Sequence, residues 1–355
     1  MAFVKKIGIL KATEMALDYH AEHPNLPFLY DAEQLAGFLG ISRGELNDIV
    51  NHIQKEYKEA HLPKKDGTYR SLCVPSIRLR FCQDPIKEKI LPQLPVSKFA
   101  TAYQKGSTTR GNAEPHIGKK FLLKLDITDF FGSITFEQVQ RTAFNTRYVS
   151  RQVGYLLTSL CCKDDSLPQG AATSPALSNI VMYRFDDYIG HWCGQRQIAY
   201  TRYCDDMTFS ANRPLYGVYQ KVKTMLREMG LELNESKTHF IGNDNRQSVT
   251  GLVVNEKLSI PSGYKRDLRQ EVYYALKFGV EDSVLHGHRS DFVEDGRPIC
   301  CPTYMLHLMG KVQYVLQIEP ENLWFKDAQK KLLAYIYEHY SESLSYYLHF
   351  NKNGK

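Results

Sequence analysis

Apolar residues recur at helical spacing near both ends of the chain and gather into short strand-like runs in the middle. Residues 1–60 read as short helices. Ala32 to Val50 gives a helix, a Gly40-Ile41-Ser42 break and a second helix after Ser42, a spacing like that of a helix-turn-helix. The second helix carries Glu45 and Asp48 against Arg43 alone, a face that repels a DNA groove, so a packed helical hairpin with a Ser N-cap is favoured. Lys64-Lys65-Asp66-Gly67 is a turn signal, and Tyr69 to Pro75 reads as a strand. Arg78 to Leu91 is a basic helical stretch closed by Pro92; Pro85 inside it allows a start there instead, with Asp84 as N-cap. Phe99 to Gly118 is irregular and polar.

Phe121 to Ile127 is a nearly all-apolar strand interrupted by Lys124 and carrying a carboxylate, Asp126, near its end. Thr135 and Gln138 form a capping box for the next helix, and Ser150 starts another that runs to Cys162. Ser174-Pro175 supplies an N-cap and an N1 proline for a third, whose apolar face is Leu177, Ile180, Val181, Phe185, Tyr188, Ile189 and Trp192. Ile198–Cys204 and Met207–Ala211 read as strands joined tightly at Asp205-Asp206. Val218 to Met229 is a helix stopped by Gly230. Val249–Asn255 with Leu258–Pro261 forms a further hairpin, and helices follow at Tyr264–Phe278, Met305–Ile318 and about Phe325–Leu348. The sum is an α+β chain with an antiparallel middle and helical material before and after it.

Composition narrows the classes. The 355 residues are 43% hydrophobic and 24% charged, ordinary for a globular protein with room for two or three domains. No run of 18 apolar residues crosses a membrane, and the N-terminus does not resemble a secretory signal, so a cytoplasmic protein without membrane contact is expected. The eight cysteines show no C-x-x-C and read as reduced thiols. His286, His288, Cys300, Cys301 and His307 fit no standard zinc spacing. The net charge is +6, yet His61 to Leu125 alone hold 13 Lys/Arg against 4 Asp/Glu. One segment therefore carries the attraction for a polyanion. Residues 261–355 balance 12 Lys/Arg with 12 Asp/Glu, which suits binding of a structured RNA by shape more than by bulk charge.

The chemistry concentrates on three carboxylates. Asp126 closes an apolar strand, and Asp205 and Asp206 sit at an apolar hairpin tip. Adjacent carboxylates there repel, and burial worsens the penalty. A divalent cation relieves it; magnesium takes oxygen ligands shared with substrate phosphates, and a pair of ions about 4 Å apart stabilises in-line displacement at phosphorus. The Asp-Asp pair alone reads as a polar turn. Its context adds the loop Pro168 to Pro175, which feeds a helix N-terminus and admits close backbone approach, and the aromatic pair Phe130-Phe131.

Leu125-Asp126-Ile127-Thr128-Asp129-Phe130-Phe131 resembles motif A of reverse transcriptases. Leu167 to Pro175 with Ser178-Asn179 resembles motif B, Tyr203-Cys204-Asp205-Asp206 motif C, Gly230-Leu231 through Lys237 motif D, and Val249-Thr250-Gly251-Leu252 the primer grip. Arg70 to Pro75 and Ala102-Tyr103-Gln104-Lys105-Gly106 resemble fingers motifs. Within that family, Asn112-Ala113-Glu114-Pro115-His116 and Val249-Thr250-Gly251 resemble the signatures of the retron type. The match spans about residues 60–260. Cys204 departs from the usual Ala, with altered fidelity or oxidation sensitivity as its expected consequence.

The resemblance implies a right-hand polymerase. Residues 1–60 would be an N-terminal helical extension, 61–120 the fingers with a contribution from 136–168, 121–260 the palm and 261–355 a helical thumb. Asp126, Asp205 and Asp206 would bind two Mg2+ ions with the Ile127 carbonyl, and Asp129 would be a turn residue. Phe131 would exclude ribose, or pack in the core, or both. Gln169, Gly170, Arg70 and Arg78 would meet the dNTP or template. Lys237 would protonate pyrophosphate or lie free on a hairpin. Arg80, Lys105, Arg110, Asn112, His116, Val249, Thr250, Gly251, Arg266 and Arg269 are expected RNA or phosphate contacts, though solvated surface and, for His116, a structural role are the plain alternatives. Tyr335, Tyr337, Tyr340, Tyr346, Tyr347 and Phe350 could stack on bases or form core.

The retron type further implies a cognate structured non-coding RNA as template and primer source, priming from a guanosine 2′-OH, a branched RNA–DNA product (multicopy single-stranded DNA, msDNA), a separate effector in anti-phage defence, and host RNase H activity for template removal. The alternatives are another bacterial defence or group II-intron-like reverse transcriptase with a different primer, or a nucleic-acid-binding regulator on an inactive polymerase fold, against which the intact acidic set argues.

Overall fold

The computed structural model describes residues 23–63, 67–145, 148–286, 292–294, 297–298 and 301–353, with side chains for all of these except 286, 294, 297–298 and 341–353. It divides into two compact units, Met1–Asn245 and Arg246–Lys355.

The first unit opens with α1 (Ala32–Leu39) and α2 (Arg43–Asn51). Asp31 caps α1, Gly40 ends it in the left-handed conformation, and Ser42 caps α2 by accepting from the Glu45 N–H. Leu35, Ala36, Leu39, Leu46 and Ile49 bury the shared face, so this is the packed hairpin. A strand that the sequence reading missed follows, β1 (Tyr57–Pro63), paired antiparallel with β2 (Tyr69–Pro75). Its mostly polar residues are exposed on a two-stranded ribbon, so no apolar alternation announces it.

Helix α3 runs from Ile77 to Pro85, capped by Ser76; the expectation of a start at Pro85 is overturned. Proline has no N–H to donate, and a π-helical turn over Ile86–Ile90 accommodates the missing bond. The short α4 (Thr109–Ala113) lies in the stretch read as irregular. Then come β3 (Phe121–Asp126), α5 (Phe136–Thr142), α6 (Arg151–Cys161), α7 (Ser174–Gly194), β4 (Ala199–Tyr203), β5 (Asp206–Ala211), α8 (Tyr216–Glu228) and β6 (His239–Gly242). Thr135 and Gln138 close the full capping box of α5, and Ser150 caps α6. Ser174 does not cap α7: Thr173 holds that position without a side-chain bond, and the Ser174 hydroxyl donates to the Pro168 carbonyl at 2.7 Å.

The sheet order is β4-β5-β3-β6. β3 is central, which explains its nearly unbroken apolar run, and all its pairings are antiparallel. Leu123, Leu125, Met207 and Phe209 join one buried cluster with Leu177, Ile180, Phe185 and Ile189 of α7 and Val218, Val222 and Leu226 of α8. Tyr188, read as part of the apolar face of α7, is half-exposed, with Lys221 over its ring.

In the second unit β7 (Ser248–Val249) and β8 (Leu252–Val253) form a hairpin around Thr250 and Gly251, both at positive φ. The run read as one strand thus bends at its Thr-Gly pair, the pattern of a primed turn. Helices α9 (Ser262–Phe278), α10 (Val280–His286), α11 (Cys301–Ile318) and α12 (Leu323–Asn353, kinked at Tyr340) follow, with a small ribbon β9 (Val293–Glu294) and β10 (Arg297–Pro298) before α11. Leu268, Val272 and Ala275, and Phe325, Ala328 and Leu332, are buried at helical spacing. No helix among the described residues is long and apolar enough to cross a membrane.

Candidate active site

Antiparallel register brings the carboxylates to one end of the sheet. Asp126 on β3 is the direct partner of Asp206 on β5, and Asp206 also pairs with Tyr203 on β4. The connection is therefore Cys204-Asp205, one residue earlier than the pattern suggested, and Asp206 opens a strand. The Ile127 N–H donates to the Asp205 carbonyl at 3.3 Å, tying the turn to the end of β3. Beyond β3, Thr128 N–H donates to Glu232 and Asn234 N–H to the Asp126 carbonyl, around the Ile127–Leu233 bridge. Both bonds flank Ile127, so its own carbonyl takes no part in that bridge.

Asp126 is 6% exposed, and the Lys237 Nζ sits 3.0 Å from both its carboxylate oxygens. This bond, together with the nearby charges, holds the Lys237 ammonium above the ordinary lysine range. Lys237 is thus part of the acidic site and not a free surface lysine. Burial, then the charge of Asp205 with that of Asp126 behind it, raises the Asp206 carboxyl, with Lys124 in partial offset. Among the described residues no ion pair reaches Asp205 or Asp206. Nor do three His, Cys, Asp or Glu side chains among them close into a preformed metal cage. An open acidic rim with excess negative charge suits magnesium, which is held by one or two carboxylates and completed by substrate phosphates. The donors present therefore fit a hard divalent cation.

The turn itself is constrained. Cys204 has φ +63°, unusual without glycine, and the Tyr103 hydroxyl lies 3.2 Å from its sulfur. Burial pushes the Cys204 thiol up to about 11, which disfavours the thiolate. Phe131 is half-buried and packs at 5.5 Å on the buried Phe130. Asp129 sits at positive φ as a turn residue, its carboxyl filling the space where a side chain on Gly132 would fall.

The loop before α7 is fastened to β2. The Cys73 N–H donates to the Gln169 carbonyl at 2.7 Å, and Gly170, at φ +127°, lies so close that a Cβ would stand 2.8 Å from the Cys73 carbonyl oxygen. Glycine is thus required here by the backbone approach itself. Arg70, Arg80, Lys105 and Arg110 are exposed, Arg110 beside Glu114 at 3.5 Å.

Three expectations need correction. The Arg78 guanidinium is engaged within the protein: it meets Asp48 at 2.8 Å, Glu45 at 3.4 Å and Glu56 at 3.5 Å, and these carboxylates raise its pKa. The acidic face of α2 exists to hold it. His116 is fully buried between the hydroxyls of Ser210 (2.7 Å) and Thr201 (2.9 Å), and burial lowers its pKa to about 3. Asn112, 1% exposed, accepts from the Thr101 hydroxyl, while its backbone carbonyl accepts from Thr201. Both residues brace the loop before β3 against β4 and β5 and cannot touch RNA.

In the second unit, Val249 is buried, which leaves Thr250 and Gly251 as the accessible part of that signature. Arg266 is 80% exposed beside Asp267, and Arg269 lies over the rings of Trp324 and Phe325. Tyr335 stacks on His339 at 4.0 Å and Tyr337 is exposed. His288, Cys300 and the side chains of His286, Tyr346, Tyr347 and Phe350 lie outside the described residues.

Residues 62–254 match the family model described as "Reverse transcriptase (RNA-dependent DNA polymerase)". The chain is 31% identical over 320 residues to the retron Mx65 reverse transcriptase of Myxococcus xanthus, covering 83% of this chain and 70% of that one. It belongs to the retron reverse transcriptases. It is also 34% identical over 233 residues to the retron Ec83 reverse transcriptase of Escherichia coli (61% of this chain, 75% of that one) and 29% identical over 270 residues to the retron Ec86 reverse transcriptase of Escherichia coli (75% and 84%). This retron reverse transcriptase is therefore an RNA-directed DNA polymerase with an RNA template as partner, and its fold is α+β. Divalent-metal dependence follows from the family.

Proposed function

We propose that the chain reverse transcribes part of a cognate structured non-coding RNA into msDNA, primed from a guanosine 2′-OH, in the cytoplasm, within an anti-phage system that uses a separate effector and host RNase H activity. The observation that carries the catalytic part is the facing register of Asp126 and Asp206, with Asp205 in the adjoining turn. Asp126, Asp205 and Asp206, with the Ile127 carbonyl, would hold two Mg2+ ions. Those ions would supply charge stabilisation to the attacking and leaving oxygens.

The chain's own groups do the rest. Lys237, 3.0 Å from Asp126, carries a positive charge and a proton at the site where pyrophosphate departs. Phe131 would bound the sugar of the incoming nucleotide and exclude a ribose. Gln169 and Gly170, fixed to β2, offer backbone groups to the nucleotide or template. Arg70, Lys105 and Arg110 hold phosphates of the template strand, and Thr250, Gly251, Arg266 and Arg269 meet RNA from the second unit. Fingers, palm and thumb at 61–120 with 136–168, 121–260 and 261–355 are part of this reading, with residues 1–60 an extension before them.

Sequencing the nucleic acid that copurifies with the chain tests the proposal. One defined RNA joined to DNA at an internal guanosine is expected; heterogeneous RNA with no attached DNA, or DNA started from a 3′-OH, contradicts it.

A further inference from the structure

The sheet end that bears the carboxylates rests on a buried ion pair that none of the motifs above includes. Arg202, on β4, and Asp186, on α7, are both 0% exposed. The Arg202 Nε donates to both Asp186 oxygens at 2.9 and 3.1 Å, and Nη2 donates to Asp186 Oδ2 at 2.5 Å and to Asn179 Oδ1 at 3.1 Å. The Tyr200 hydroxyl donates to Asp186 Oδ1 at 2.7 Å, and Asn179 Nδ2 donates to the Ala102 carbonyl at 2.8 Å. The remaining bond is the informative one: Arg202 Nη1 donates to the carbonyl of Cys204 at 2.8 Å.

Burying two charges is expensive, and apolar side chains of similar volume often serve stability as well or better. What apolar residues cannot do is donate to the Cys204 carbonyl. That carbonyl begins the peptide leading into Asp205, in a turn whose Cys204 is held at φ +63°. A strained turn persists only where its surroundings over-determine it. Here three ties do so: the Arg202 guanidinium, the Tyr103 hydroxyl at the Cys204 sulfur, and the Ile127 N–H at the Asp205 carbonyl. Of these three, Arg202 is the tie that links the turn to α7, the helix entered from the nucleotide-side loop.

We infer that Arg202 is a positioning residue for DNA synthesis: aligned by Asp186 and Asn179, it fixes the Cys204–Asp205 peptide and so the Asp205 carboxylate. The inference rests on Asp205 as a metal-binding carboxylate. A fork of fixed geometry is needed to grip Asp186 and Cys204 at once, which the point charge of a lysine cannot do.

The test is RNA-templated primer extension by the full chain across a Mg2+ titration, with thermal unfolding of each variant alongside. The double variant R202M/D186L removes both charges together and leaves neither unpaired; R202K keeps the charge and loses the fork. Both are expected to fold, with kcat down roughly 10- to 100-fold, the scale of a misplaced reacting group. The Mg2+ concentration for half-maximal rate should rise several-fold as the carboxylate's grip on the metal weakens, with dNTP KM changed by less than about threefold. A core-filling pair would not move the Mg2+ dependence. Wild-type kcat and Mg2+ response in either folded variant overturns the positioning role. Asp205→Asn, run beside them, separates the two claims. Full activity in Asp205→Asn overturns the metal reading, whereas an inactive Asp205→Asn beside a fully active Arg202 variant overturns the positioning role alone.

Discussion

Gly170→Ala places a methyl group where the backbone of β2 already stands. The added Cβ would lie 2.8 Å from the Cys73 carbonyl oxygen and 3.3 Å from its carbon, and φ is +127°. Neither neighbour is the end of a flexible side chain, so relief requires main-chain movement. Holding alanine in that glycine-only region costs about 1–3 kcal/mol. Peeling the loop away instead forfeits the 2.7 Å bond from Cys73 N–H to the Gln169 carbonyl, about 1 kcal/mol net. The loss in stability should thus fall near 1–3 kcal/mol, a drop in Tm of roughly 3–10 °C for a unit of this size. The same shift displaces Gln169 and Gly170 from the nucleotide, and kcat/KM for dNTP should fall roughly 5- to 150-fold at 1.4 kcal/mol per decade. Thermal unfolding and steady-state primer extension measure both quantities. An unchanged Tm together with an unchanged kcat/KM would refute the claim that the loop is seated on β2 and serves the nucleotide.

Phe131→Ala should relax discrimination against ribonucleotides, read as the ratio of dNTP to rNTP incorporation; an unchanged ratio makes Phe131 a packing residue only. Arg78→Ala should leave the dNTP KM unchanged, since its guanidinium is committed to Glu45, Asp48 and Glu56; a large rise in KM would show that Arg78 meets the nucleotide as well. Lys237→Ala should lower kcat more than Lys237→Arg, measured under single-turnover conditions. His116 titrates near 3 when folded against about 6.5 when unfolded, so the unfolded chain binds the extra proton. Its contribution is full above pH 6.5 and declines by up to about 1.4 kcal/mol per pH unit as pH falls towards the folded pKa. Urea unfolding of wild type and His116→Gln between pH 5 and 8 should show the steeper acid loss in wild type, and parallel curves would remove His116 as its source.

Much of the site was legible because its chemistry is local in sequence. Asp126, Asp205, Asp206 and Lys237 each lie in a short block with a recognisable neighbourhood, and short apolar strand runs placed the first three at strand ends or in a turn. The turn position was misplaced by one residue because a Cys at positive φ gives no signal, whereas Gly or Asn would. Strand β1 was missed because both faces of its ribbon are polar. His116 and Asn112 were misread because polar residue type does not reveal burial, and Arg78 because its carboxylate partners lie on other elements; the partners are up to 94 residues away in sequence. Arg202 and Asp186 gave no signal of their own, since a charged residue on a strand and another on a helix read as solvated surface until the fold buries both. The one hint was the apolar setting of Arg202, between Tyr200 and Tyr203 on a strand beside the carboxylates.

The central claim is that Asp126, Asp205 and Asp206 share divalent cations with the incoming nucleotide. Anomalous diffraction from Mn2+ in the enzyme bound to RNA template, DNA primer and a non-hydrolysable dNTP tests it most directly. Two peaks are predicted between the Asp126 and Asp205 carboxylates and the triphosphate, with Lys237 displaced from at least one Asp126 oxygen. Manganese found only elsewhere on the protein, or a bound triphosphate with no ion between it and these carboxylates, would contradict the account.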